Sequence, residues 1–444
     1  MREIDIMKNR TNTAQFEMTQ NQRTTLFAIM GFGVLCMLIT MISDGAGMPR
    51  FWSNFLLNSV FFTGIGFVSL FAMSAMITAY SGWHVAFKRI WEAYSMFLIV
   101  GLVLMLVIIV GIFGGFHYLY EWADKEIVAG DKVLTGKASF LNPVMYSLST
   151  IVFIGGSYWF ASRMRSLSIQ EDALAVGDYS AYHKIKRYAA GFLPFGAFIS
   201  IVAIWQWIMS VDAHWYSTIF AWYATSSWFV AFLSMTILLL YYLKHLGYFT
   251  EVTAEHFHDL GKYLFAFSIF WTYLWFSQYM LIWYGNIGEE TIYFKTQLTE
   301  HRMLFFVNLI INFVIPFFVL IRNDTKRKIG TMVFSSIILL FGHWLDFFLM
   351  VKPGVKNTYQ NITGSGIAGA SSDSSEAVGA MVADGAKAAS TFVDGFTFPG
   401  VLDIGVFLGF LALFVYFVMK QLGKANLSPV GDPYIGESFH HHVE

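Results

Sequence analysis

Ten predominantly apolar runs alternate with short polar stretches along the chain: 25–43, 51–80, 90–120, 142–162, 189–211, 216–243, 262–285, 303–322, 330–351 and 399–420. The hydrocarbon core of a bilayer takes roughly 20 apolar residues per helix. Every run is too long for a membrane strand and none alternates with a period of two, which excludes a β-barrel. The pattern predicts an all-α integral membrane protein with about ten transmembrane helices over residues 25–420. Residues 1–24 are polar, with Arg2, Lys8, Arg10 and Arg23, and no small-residue cleavage site follows the first run. That segment reads as a cytoplasmic lead into a retained span, and 421–444 reads as a cytoplasmic tail.

Lys and Arg set the orientation of such a chain. With the N-terminus inside, the cytoplasmic segments and their immediate borders carry 19 basic residues, against 9 on the opposite side. Both termini are therefore expected in the cytoplasm. The stretch 163–188, with Arg163, Arg165, Lys184, Lys186 and Arg187, reads as a short amphipathic or capped cytoplasmic element. The stretch 352–398, rich in Gly, Ala and Ser, reads as a long external loop, flexible or docked on another protein. The fourth and eighth runs both exit into basic segments. That spacing suggests one helix, two groups of four, and one further helix, with the two groups parallel.

Composition narrows the function classes. Hydrophobic residues make up 56% of the chain and charged residues only 13%, against about a quarter charged in soluble domains. Basic and acidic residues number 28 and 29, so no nucleic-acid partner is implied. The single cysteine, Cys36, excludes an internal disulfide, a Cys-ligated cluster and c-type haem attachment. No haem, cluster or metal is expected in this chain, and any electrons would have to travel through partner subunits.

Charged side chains inside a bilayer are costly, so each is a functional candidate. His343 and Asp346, three apart, share a face of the ninth helix, either as part of a proton path or as a buried ion pair bracing helices. Haem ligation by His343 would need a second histidine at equal depth, and His117 and His214 fall nearer the outer rim. Glu92, near His84 and Lys88 at the inner end of the third helix, is either the mouth of a proton half-channel or an acid complementing the helix dipole. Asn308 and Asn312, like Asn54 and Asn58, put amides on one face for interhelical bonding or a polar path. At the outer corner between the fifth and sixth helices, Asp212, His214, Trp215 and Tyr216 would suit an amphipathic head group such as a quinone, with no basic residue nearby. The alternative there is that Asp212 caps the sixth helix. Asp44 and Arg50 are expected to pair locally. His256, His258 and His440–His442 are expected to be solvated.

The run from Trp205 through Asp212, His214 and Trp215 to Tyr223 resembles the signature of the ActF subunits of alternative complex III. So do Arg163-Met-Arg165-Ser-Leu-Ser, His343-Trp344-Leu345-Asp346, and the tail Asp432-Pro433-Tyr434 with Glu437 and Ser438. The resemblance spans most of the chain but not 352–398. It implies an NrfD-like (polysulfide reductase membrane subunit) architecture of two four-helix bundles plus a flanking helix at each end, in a bacterial inner membrane. The implied complex oxidises quinol and passes electrons through an Fe–S subunit and haem c subunits to a cytochrome c or terminal oxidase. The implied partners are those subunits, a longer NrfD-like paralogue and lipids. The role implied here is structural, with proton conduction as a further option. The competing readings are an independent secondary transporter and a purely structural membrane anchor.

Overall fold

The computed structural model describes residues 15–45, 47–175, 177–370 and 396–442, with backbone alone for 363–370. Ten long helices follow in chain order: α1 (Gln20–Ser43), α2 (Pro49–Thr78), α3 (Val85–Gly114), α4 (Pro143–Glu171), α5 (Ser180–Val211), α6 (Ile219–His245), α7 (Ala254–Gly285), α8 (Arg302–Leu320), α9 (Ile329–Ala370) and α10 (Val401–Leu422). Among the described residues nine are long and apolar enough to cross a membrane. The tenth, α7, has 32 residues. Its many Trp and Tyr side chains, and the polar first turns, make it less apolar than the rest. The only strand pairing among the described residues is one bridge, Gln15 to Asn426. The protein is an all-α integral membrane protein.

Local chemistry sets the helix starts. Thr19 and Gln22 form a reciprocal capping box on α1. The Asp44 carboxylate accepts the amides of Arg50 (2.7 Å) and Phe51 (3.1 Å) at the start of α2. Asp44 therefore caps a helix through the backbone of Arg50, in place of the expected side-chain pair. Helix α3 breaks at Met96–Phe97 into two α segments.

Helices α2–α5 pack as one group of four and α6–α9 as a second, joined mainly through α2 against α6 and α9. In the most apolar stretch of α2, 83% of residues are buried, against 17% in α1, so α2 is central and α1 peripheral. Helices α1 and α10 pair with each other at the margin. They meet at glycines: a Cβ added to Gly33 would fall 2.4 Å from the Gly409 Cα, and one on Gly405 would fall 2.3 Å from Cys36 Sγ. Between the bundles, Gly64 of α2 makes room for Trp228 of α6, whose ring would lie 2.0 Å from an added Cβ. Small residues of this kind let membrane helices approach closely.

The third helices of the two groups share a local anomaly. In α4, eight α residues (Pro143–Thr150) lead into a five-residue π segment, Ile151–Gly155. In α8, eight α residues (Arg302–Leu309) lead into a five-residue π segment, Ile310–Val314. This matched geometry supports the parallel two-group plan better than residue identity does.

Two boundaries differ from expectation. Helix α9 does not end at 351 but continues through Pro353 to Ala370, so residues 352–370 are helix and not loop. Residues 371–395 of the expected loop lie outside the described residues. The stretch 163–188 is no separate element, because α4 runs to Glu171 and α5 starts at Ser180.

Candidate functional site

Asp346 lies fully buried where the second bundle's four helices converge. Its Oδ1 accepts from Tyr223 of α6 and from Asn308 Nδ2 of α8 at 2.9 Å, and its Oδ2 from Trp271 Nε1 of α7 at 2.8 Å. The string continues along α8. Asn312 Nδ2 donates to Asn308 Oδ1 (2.7 Å) and to the Gly342 carbonyl (3.0 Å). Gly342 has to lack a side chain, since a Cβ there would fall 2.2 Å from Asn312 Oδ1. Asn312 sits inside the π segment that precedes Pro316. Proline lacks an amide hydrogen, and the widened turn upstream re-aims the side chains around it.

His343 and Asp346 share a face, as expected, but they are not an ion pair. His343 Nδ1 bonds Ser227 Oγ at 2.8 Å, its ring stands edge-on to Trp271, and its Nε2 is buried without a partner. Asp346 is satisfied by neutral donors. The expected brace therefore exists between helices, but as hydrogen bonds to one carboxylate. Sequence reasoning missed Tyr223, Ser227 and Trp271. The signal available was antiparallel register, since Tyr223 opposite Asp346 and Ser227 opposite His343 follow once α6 faces α9.

The equivalent junction of the first bundle is neutral. Ser149, two residues before the π segment of α4, bonds Gln206 of α5, and Trp207 Nε1 donates to Thr150 Oγ1 at 2.8 Å. A carboxylate occupies this junction only in the second bundle.

Glu92 lies in a different network. It pairs with Arg89 (2.9 Å) and accepts from Ser168 Oγ (2.7 Å), while Arg89 also holds Asp172 (2.6 Å). Lys88 pairs with Asp432 and lies 3.8 Å from Glu171. His84 stacks on Trp91 with neither ring nitrogen partnered, and burial pushes its pKa down to about 4. Glu92 is thus a member of a charge network where the start of α3 meets the end of α4, on helices other than those that surround Asp346. The described polar contacts do not join the two sites.

The outer cluster is rearranged relative to expectation. Thr218, not Asp212, occupies the N-cap position of α6, without a side-chain capping bond, and Asp212 ends the short turn Met209–Val211. His214 bridges Asp131 (2.6 Å) and Glu121 (3.3 Å), two acids outside the expected cluster. A basic residue is close after all, because Lys137 Nζ donates to the Ala213 carbonyl at 2.7 Å and stands over the Tyr216 ring. Burial, with Glu121 next, raises the Asp212 pKa to about 6. Trp215 stacks on Tyr293 with centroids 4.0 Å apart. Trp215 and Tyr216 line a cavity of about 400 Å³ with Lys137, Phe140 and Trp205.

The histidines expected to be solvated are largely buried or engaged. His256 Nε2 bonds the Ser438 carbonyl at 3.0 Å, His258 is buried, and His441 pairs with Asp259 at 2.6 Å. The extension of α9 also buries two further charges: Lys352 pairs with Asp403 of α10 at 3.5 Å, and Lys356 with Glu300. Sequence reading put both lysines in a loop. Asn58 Oδ1 accepts from Trp344 Nε1 at 3.0 Å, an interhelical bond of the expected kind. Among the described residues no group of three or more His, Cys, Asp or Glu could hold a metal ion.

No family profile matches this chain, and no curated protein matches it.

Proposed function

We propose that this chain is a cofactor-free integral membrane subunit of a quinol-oxidising respiratory complex of the alternative complex III kind. Its role is structural, with proton exchange at Asp346. It sits in a bacterial cytoplasmic membrane with both termini inside, and partner subunits carry the haem c, the Fe–S clusters and the quinol site. The observation that carries this reading is a convergence. Tyr223 closes the first sequence run that resembles the ActF signature, Asp346 closes another, and the two meet in one buried hydrogen bond. A carboxylate in a bilayer interior, held by donors with no cation beside it, is the kind of group found in proton relays. The polar string through Asn308 and Asn312 and the unpartnered His343 Nε2 supply neighbours for a proton. The π segment beside the site also suits the transporter reading, in which irregular backbone lines a substrate site.

Purification from native membranes separates these readings. A complex subunit co-migrates with haem-containing and Fe–S proteins, whereas a transporter comes out alone. In the assembled complex, Asp346→Asn should keep electron transfer and lower the protons released per electron in proteoliposomes. Unchanged stoichiometry in a fully assembled variant removes proton exchange from Asp346 and leaves it a brace.

A further inference from the structure

The inner end of the α4–α5 pair carries a basic groove that none of the networks above uses. It encloses about 520 Å³ and is lined by Arg163, Ser166 and Gln170 from α4 and by Lys184, Arg187 and Tyr188 from α5. Arg163, Lys184, Arg187, Ser166 and Gln170 are exposed, while Tyr188 is half-buried. No ion pair engages the three cations among the described residues, although their neighbour Arg89 is tied to Glu92 and Asp172. Asp178 lies within electrostatic reach of Lys184 but forms no ion pair with it. Ser166 and Gln170 add neutral polar groups, joined to each other at 3.5 Å.

The depth of the groove is set by its neighbours. Two residues beyond Arg163, Arg165 Nη2 donates to the Gln421 carbonyl at the end of α10, so the groove shares its level with the helix-to-tail junction. One turn before Arg163, Trp159 is 47% exposed and stands edge-on to Tyr188, with centroids 5.7 Å apart. Trp and Tyr concentrate at the membrane–water boundary. Beside Trp159, Phe160 of α4 packs on Phe195 of α5, and further from the groove α5 presents Phe198, 73% exposed. A head-group-sized polar space thus opens directly above an apolar interhelical face.

We infer that this groove binds the phosphate of an anionic phospholipid, with Arg163, Lys184 and Arg187 as the charge partners and the α4–α5 face receiving an acyl chain. The chemistry fits. Three unneutralised cations on two rigid helices match a phosphodiester, with Arg supplying paired donors and Lys a point charge. Basic pockets between transmembrane helices at the cytoplasmic surface hold such head groups. A free phosphate shares the charge chemistry but gains nothing from the apolar face.

The test uses the full-length protein, or its complex, in a non-ionic detergent and follows thermal unfolding. Phosphatidylglycerol or cardiolipin should raise the apparent melting temperature by a few degrees, because a ligand bound only by the folded state stabilises it. The shift should shrink as salt rises. Phosphatidylcholine should give little shift, and millimolar inorganic phosphate should give none. The triple variant Arg163→Gln, Lys184→Gln, Arg187→Gln should lose the lipid-dependent shift while retaining its lipid-free melting temperature. A variant of the exposed basic segment between α8 and α9, Arg322→Gln, Arg327→Gln, Lys328→Gln, should keep the shift. An undiminished lipid response in the first variant would overturn the site. So would equal loss in the second, which would mean bulk attraction, and so would full protection by inorganic phosphate, which would rule out the lipid. If the first variant does not fold, Arg187→Gln alone should at least halve the shift, and an unchanged shift there also overturns the proposal.

Discussion

Asp346 and Asp212 are both acids in poor solvent surroundings, and their partners make them opposites. Asp346 has three donors for its two oxygens, so its charge is compensated by hydrogen bonds from three helices. Asp212 has no hydrogen-bonded donor on its carboxylate, and the Glu121 charge pushes its pKa the same way as burial, against the weaker pull of His214 and Lys137. A carboxyl raised from 3.8 to about 6 binds its proton more tightly in the folded state than in the unfolded one. Folding stability then falls as pH rises from about 4 to about 6 and stays lower above that. Asp212→Asn removes the penalty. Relative to the native chain, it should gain about 1–2 kcal/mol at pH 7.5, less than the full shift implies because the group keeps some solvent. The gain should vanish near pH 4. Thermal unfolding at the two pH values checks this, and an equal effect at both would show that the carboxyl is not strained by its charge. Sequence alone singled out both acids from their cost in a membrane. It could not tell them apart, because the difference lies in Tyr223, Trp271 and Asn308, which arrive from three other helices.

At the level of the helix, legibility followed the physics of each boundary. Apolar runs marked the interiors of all ten helices, since burial in lipid demands them. The end of α9 was not legible, because Lys352, Pro353 and the small residues beyond look like a stop signal. The helix continues because Lys352 and Lys356 find acids on neighbouring elements and so can be buried. The break in α3 and the two π segments were equally hidden, having no composition of their own. The contact of α1 with α10 was hidden too, since glycines mark close approach without naming the partner. That contact yields a prediction. A large side chain at Gly33 cannot fit against the Gly409 backbone, so Gly33→Leu should separate α1 from α10. The rest of the chain, organised around α2, does not depend on that seam. The variant should lose roughly 1–3 kcal/mol, and protease should then cut near residues 44–48 faster than in the native chain. Gly31→Leu, with nothing within 4 Å of an added Cβ, should be near neutral.

On the scale of the whole molecule, the two bundles are joined through α2 and also by the tail after α10. Asp432 reaches Lys88, and the Gly431 amide reaches Asp172 (3.3 Å), both in the first bundle. Ser438 accepts the Ala86 amide and donates to the Trp83 carbonyl, while its own carbonyl takes His256 of the second bundle. His441 reaches Asp259, also in the second bundle. The tail is therefore a strap across one end of both bundles, and its anchor is a buried ion pair. Removing one partner of such a pair strands the other charge, whereas removing both together costs little. Asp432→Leu should leave Lys88 with Glu171 alone, at 3.8 Å, and cost about 3 kcal/mol. Lys88→Met should cost a similar amount by leaving Asp432 and Glu171 side by side. The double variant should recover most of the loss, since two apolar side chains fill the same buried space. A thermal-unfolding cycle on the four proteins measures the coupling. Additive losses would mean that the pair does not anchor the tail, and that the strap is held by Ser438 and the backbone contacts around it.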